Sequence, residues 1–271
     1  MKLITSDLDF TLLKDDMSVG QLTKDYLNNL DNNYMFIPCS SRSASDLLNG
    51  VKDIDVHYCV CSNGSTIYDN KLKKVIDQQN LSSTYAIEIV ELLKDISYAT
   101  TIVIDDTVYS EHILRDIYEY SQLPEEKIES IFKGRIFKDD IKYLLKEYNC
   151  IEKLHLNFFC EEDKNKAMNL IENHCKDRYS LTTSSLLNLE VTNINATKGK
   201  AVKRLCNILD IKPECIIGFG DNLNDKSLLE AADIGVAMNN AIKGLKDVAT
   251  VINKYTNDEE GVVLYLKEIN Y

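Results

Sequence analysis

The chain has 271 residues, 44% hydrophobic and 27% charged, which suits a soluble globular protein of one large domain or a core domain with a smaller companion. A formal charge of −12 argues against nucleic acid as a partner, because most of the surface would repel its phosphates. No apolar run approaches the ~20 residues of a membrane helix and the opening MKLITSDLDF lacks an export signal's apolar core, so a cytoplasmic location with reduced cysteines is expected.

Read in chain order, KLITSD predicts a strand and SVGQLTKDYLNNLDNN an amphipathic helix. YMFIPCSS is a second strand, SASDLLNGV a short helix and VHYCVCS a third strand. The rhythm then changes. YAIEIVELLKDI, EHILRDIYEY and EDKNKAMNLIENHC have helical periodicity, and YATTIVID, IEKLHLNFF, RYSLTTS and LLNLEVT read as strands. Strand–helix alternation returns with KGKAVKRLCNILD (helix), ECIIGFG (strand), DKSLLEAA (helix) and DIGVAM (strand). AIKGLKDVA and EEGVVLYLKEI follow as helices around a short TVI strand. The expected fold is α/β: a Rossmann-like three-layer core with a mostly parallel sheet over residues 1–81 and 187–271, interrupted by an inserted α+β cap domain at 82–186.

Open parallel sheets place their functional crevice beyond the carboxyl ends of the strands. Asp7 and Asp9 follow the first strand, Ser40, Ser41 and Arg42 the second, Asn63 and Gly64 the third, and GDNLND (220–225) the strand ECIIGFG. In an extended backbone residues i and i+2 point the same way, so Asp7 and Asp9 are expected to face one site. Crowded carboxylates need a cation or a shared proton, and with Asp221 and Asp225 they suit a hard divalent ion; caps on the next helix are the alternative for 221–225. Lys198 opens a helix, where a cation calls for an offsetting anion unless the side chain is simply exposed. Ser40 suits either a phosphate contact or an N-cap, and Asn63–Gly64 reads first as a tight turn. Cys59 and Cys61, near His57, lack metal-ligand spacing. FKGRIFK (132–138) reads as a solvated cationic face.

DLDFT (7–11), Ser40, Lys198 and GDNLND, in that order, resemble the four motifs of the haloacid dehalogenase superfamily, and the chain is similar to its Cof-like branch of Mg²⁺-dependent phosphatases. SNGS (62–65) and AMNNA (237–241) resemble further stretches of that branch. The resemblance implies Asp7 as nucleophile, through an aspartyl-phosphate, and Asp9 as general acid/base. It implies phosphate contacts from Ser40, Ser41, Lys198 and Asn224. It implies a Mg²⁺ site formed by the carboxylates of Asp7 and Asp221, the Asp9 backbone carbonyl and Asp225, with Asn224 completing or supporting it. Arg42 and Asn63 stand as candidate substrate contacts. The expected partner is a small phosphorylated metabolite, and no protein partner is inferable. A phosphomutase or phosphotransferase, or a phospho-aspartate switch, are the rival readings. Phe10 stands where relatives carry Gly, which implies either a backbone without φ > 0 or local strain. Ser40–Ser41–Arg42 replaces Thr-Gly-Arg and keeps the hydroxyl.

Overall fold

Successive residues of the first strand, Leu3 and Ile4, enter different hydrophobic cores, and that alternation sets the layers of the first unit. The computed structural model describes residues 1–120, 125–174 and 177–271. The chain divides into two units, Met1–Gln78 with Ala196–Tyr271, and Gln79–Asn195.

In the first unit five strands form a parallel sheet in the order Val251–Ile252, Ile234–Ala237, Cys215–Gly220, Lys2–Ser6, Tyr34–Pro38. On one face Leu3 and Ile37 pack with Ala201, Val202, Leu205 and Leu228 from the helices Lys198–Ile208 and Lys226–Ala231. On the other, Ile4, Phe36, Ile217 and Phe219 meet Leu27, Leu47, Val262 and Leu266 from the helices Gln21–Asn28, Ala44–Gly50 and Gly261–Glu268. Helices on both faces make the three layers expected of a parallel sheet. The chain moves to opposite sides of Lys2–Ser6, first to Tyr34–Pro38 and later to Cys215–Gly220, so the switch point lies at the end of the strand that leads into Asp7.

Among the described residues, the third expected strand, Tyr58–Cys61, joins the parallel sheet through an isolated bridge between Cys39 and Val60. It otherwise pairs antiparallel with Thr66–Asp69, which pairs in turn with Lys74–Gln78. That last strand is exposed or half-buried throughout and has no apolar alternation from which to predict it.

The second unit holds a six-stranded sheet in the order Tyr179–Thr182, Asn188–Asn193, Lys153–Phe158, Tyr98–Ile104, Thr107–Glu111, Ile136–Lys138, antiparallel except for the last pair. Leu154, Leu156, Phe158, Leu189 and Val191 pack on the helices Ser83–Leu92, Ile141–Glu147 and Glu161–His174. The alternate residues are polar, with Lys153 donating to Glu190 at 2.6 Å in a buried pair beside His155. Asn188–Asn193 pairs in this sheet, so the chain returns to the first unit at Ala196 and not at 187. Arg135 is half-buried, with Nη1 on the Ser110 hydroxyl and Nε on the Ile131 carbonyl, so the 132–138 run is not uniformly solvated. Cys175, the predicted end of one helix, lies outside the described residues. Every cysteine among the described residues is a free thiol, and no described helix is long and apolar enough to cross a membrane.

Candidate active site

The backbone does not stay extended past Asp7. Leu8–Leu12 forms a single wide π-type turn, closed by the Leu13 N–H on the Leu8 carbonyl at 2.8 Å and broken at Asp9 (φ −63°, ψ 125°) and at Phe10, whose φ of 58° lies in the left-handed region. Of the two conformations open to a side chain at position 10, the structure has the strained one; Asn240 Nδ2 donates to the Phe10 carbonyl at 2.7 Å. A turn, and not the extended backbone expected here, therefore positions the two side chains, and they are held by different cations. Asp7 is buried and its Oδ1 accepts from Lys198 Nζ at 2.7 Å, while Asp9 is gripped by Arg42. Arg42, a candidate substrate contact, thus has its guanidinium on Asp9.

Lys198 is fully buried, so it is not a surface lysine. It is the first residue of the Lys198–Ile208 helix, where a cation opposes the dipole, and Thr197 supplies the N-cap. Its Nζ spans the Asp7 contact and Asp225 Oδ1 at 2.5 Å. Burial alone would lower the ammonium pKa, but Asp225 and Asp7 outweigh it and hold the group above the ordinary lysine value. Close helix packing makes the reach feasible. A Cβ on Gly199 would lie 1.9 Å from the Ser227 carbonyl oxygen, so only glycine lets the two helices approach this far.

Asp225 serves both readings of the 221–225 segment. Its Oδ2 accepts from the backbone N–H of Asp221 at 2.9 Å and of Asn222 at 3.1 Å, half of a capping box, while Oδ1 holds Lys198. Asp221 caps nothing; its Oδ1 accepts from the Thr11 hydroxyl at 2.7 Å. Carboxylate oxygens of Asp7, Asp221 and Asp225 lie within 4.8 Å of one another, all three residues buried, and the Asp9 side chain is not in the group. Burial, then Asp225, pushes the Asp221 carboxyl up to about 7. Burial, then Asp225, also drives Asp7 well above the usual carboxylate range against the pull of Lys198. Three buried carboxylates against one ammonium leave an excess of negative charge that a hard divalent cation would neutralise. Next to them Asn224 Oδ1 is buried without a hydrogen-bond partner, an orphan acceptor that a cation or its water would satisfy. The donor set fits a divalent metal: oxygen ligands only, with excess negative charge.

Ser40 is fully buried and is not an N-cap; Ser43 caps the Ala44–Gly50 helix. The Ser40 hydroxyl accepts from Arg42 N at 3.2 Å, and its own N–H goes to Val60 O. Ser41 is half-buried beside it. Asn63 is buried with φ 56°, its Oδ1 accepts from Asn224 Nδ2 at 3.3 Å, and Gly64 follows at φ 98° against the Thr197 carbonyl. The turn reading of Asn63–Gly64 therefore holds, and the turn also carries Asn63 to Asn224. Two residues had no role in the sequence reading: Thr11, which lies inside DLDFT, and Asn240, which lies inside AMNNA. Both lie inside recognisable motifs, but their partners are more than 200 residues away in the chain.

A family model described as haloacid dehalogenase-like hydrolase matches residues 4–266. Phosphatase YwpJ of Bacillus subtilis is 27% identical over 99% of this chain and 100% of its own. The 5-amino-6-(5-phospho-D-ribitylamino)uracil phosphatase YwtE of the same organism is 27% identical over 99% and 98%. Among solved structures, a haloacid dehalogenase-like hydrolase from B. subtilis superposes with a TM-score of 0.86 at 26% identity, covering 99% of this chain and 100% of that one. A protein from Thermotoga maritima gives a TM-score of 0.77 at 25% identity over 98% and 96%. With the family model spanning nearly all of the sequence and a solved member of that description superposing over its full length, the chain belongs to the haloacid dehalogenase-like hydrolases.

Proposed function

We propose that the chain is a Mg²⁺-dependent phosphatase that hydrolyses a small phosphate monoester, a sugar phosphate or related metabolite, through an aspartyl-phosphate on Asp7. One observation carries the reading: Lys198 Nζ is buried between Asp7 and Asp225, with Asp221 in the same acidic group, beyond the ends of the strands Lys2–Ser6 and Cys215–Gly220. The chain's phosphatase character is supported by its family and by its curated relatives. The sugar-phosphate class is analogy with a structural neighbour described as a sugar phosphatase, which at 18% identity shares the fold.

Asp7 Oδ attacks phosphorus, and the bond to the leaving oxygen breaks. The departing oxygen takes a proton from Asp9, which then accepts one from the water that hydrolyses the acyl phosphate. Lys198 fixes the Asp7 carboxylate and offers its charge to the transferring phosphoryl oxygens, and the Ser40 hydroxyl adds a neutral donor. Asp7, Asp221 and Asp225 would hold Mg²⁺, with Asn224 and the Asp9 carbonyl beside them; when bound it supplies positive charge against the phosphoryl group. A reduced, cytoplasmic setting and a small phosphorylated metabolite as substrate complete the proposal. With 4-nitrophenyl phosphate and Mg²⁺, Asp7→Asn is expected to lose at least ~10³-fold in kcat, while inorganic phosphate matches nitrophenol released by the wild type one for one. An active Asp7→Asn variant overturns the nucleophile. Phosphate appearing in a second alcohol instead of in solution favours the phosphotransferase.

A further inference from the structure

Arg42 holds Asp9 by a two-pronged contact: Nε donates to Oδ2 at 3.0 Å and Nη2 to Oδ1 at 2.5 Å. The arginine is itself fixed at both ends. Its backbone N–H donates to Ser40 Oγ at 3.2 Å and its carbonyl accepts from Ser62 N at 2.8 Å. Its Nη1 lies 3.5 Å from the Asp46 carbonyl and over Gly50, where an added Cβ would sit 2.8 Å away. The side chain is 22% exposed, so most of it is committed to the protein. Nothing in the haloacid dehalogenase-type chemistry derived above uses this residue.

We propose that Arg42 is the positioning residue of the proton-transfer group: its fork holds the Asp9 carboxylate in one orientation and thereby sets how fast the leaving group is protonated. The inference rests on the proposed phosphatase reading. As the Asp7 oxygen–phosphorus bond forms, the electron pair of the breaking phosphorus–oxygen bond stays on the leaving oxygen, which takes the Asp9 proton and departs as the alcohol; Asp9 is left as the carboxylate. A carboxyl group has lone pairs for about four hydrogen bonds, and the fork takes one on each oxygen, so a position remains for the proton in transit. A lysine could supply the charge but not the two-pronged grip.

The test compares leaving groups of similar size, one that departs without a proton and one that cannot. With Mg²⁺ present, kcat/KM reports steps up to departure of the alcohol and is measured for 4-nitrophenyl phosphate and benzyl phosphate. Arg42→Gln is expected to lower it about 10²-fold for benzyl phosphate and less than about fivefold for 4-nitrophenyl phosphate, with Arg42→Lys in between. Gly50→Ala keeps every charge and displaces only the guanidinium, and should shift the ratio the same way even if Arg42→Gln folds poorly. Equal losses on both substrates in Arg42→Gln and Gly50→Ala would mark a substrate-binding or structural role and overturn the inference. Asp9→Asn separates the two levels. If it is selective against benzyl phosphate while the Arg42 and Gly50 variants are not, only the inference fails; if it is itself unselective, the acid/base reading of Asp9 fails and the inference with it.

Discussion

A buried carboxylate whose pKa is raised behaves opposite to the usual salt-bridged aspartate, and Asp221 gives the sign. Its value is 3.8 in the unfolded chain and about 7 in the metal-free fold, so the folded state binds the proton more tightly. The stability tied to that proton is full below 3.8 and is lost as pH rises through the window to about 7. Thermal unfolding in a chelator is therefore expected to move to lower temperature across that window, and saturating Mg²⁺ should flatten the curve; Asp221→Asn without metal should flatten it as well. Lys198 works against the same charge excess. Lys198→Met leaves Asp7 and Asp225 buried without their cation and is expected to cost about 3 kcal/mol in urea unfolding at neutral pH. An unchanged midpoint would mean that the pocket does not need the ammonium.

At the scale of elements, the site depends on how closely two helices pack. In a solvated helix Gly→Ala stabilises by about 0.5–1 kcal/mol. At position 199 the new Cβ would lie 1.9 Å from the Ser227 carbonyl oxygen and 2.9 Å from the Ala231 Cβ, so the helices must part. Gly199→Ala is expected to destabilise by about 1–3 kcal/mol, the reverse of the solvated case, and to lower kcat because Lys198 is the adjacent residue. A stabilised, fully active variant would show that the helix pair has slack. The turn after the first strand belongs to the same scale. Left-handed Phe10, tied through its carbonyl to Asn240, directs Asp9 toward Arg42 while Asp7 keeps to Lys198.

Across the whole molecule, the second unit carries its own titration. His155 is buried beside Glu190 and Lys153, and burial pushes its pKa down to about 3 from 6.5. The folded state binds fewer protons than the unfolded one, so this contribution is full above 6.5 and is lost as pH falls from there toward 3. Each pH unit inside the window costs about 1.4 kcal/mol. Calorimetry below pH 6.5 should show this loss, and His155→Gln, which has no proton to gain, should reduce the acid dependence; an unaltered slope would place it elsewhere.

Much of this molecule could be read from its sequence, because strand–helix alternation and strand-end polar residues depend on local periodicity and on a general property of parallel sheets. Asp7 and Asp221 were legible as members of one site for that reason, and Lys198 only through its place in the motif order. An extended backbone through Asp7 and Asp9 was the local expectation, and the structure has a helical turn at Leu8–Leu12 instead. Local patterns also do not specify which cation neutralises which acid. That Lys198 joins Asp7 to Asp225, that Arg42 takes Asp9, that Thr11 reaches Asp221 and that Asn240 steadies Phe10 are contacts between distant stretches of chain. Only the tertiary structure decides them, because a buried charge settles on whichever opposite charge or dipole the packing brings within reach, and no residue's neighbours in sequence encode that distance.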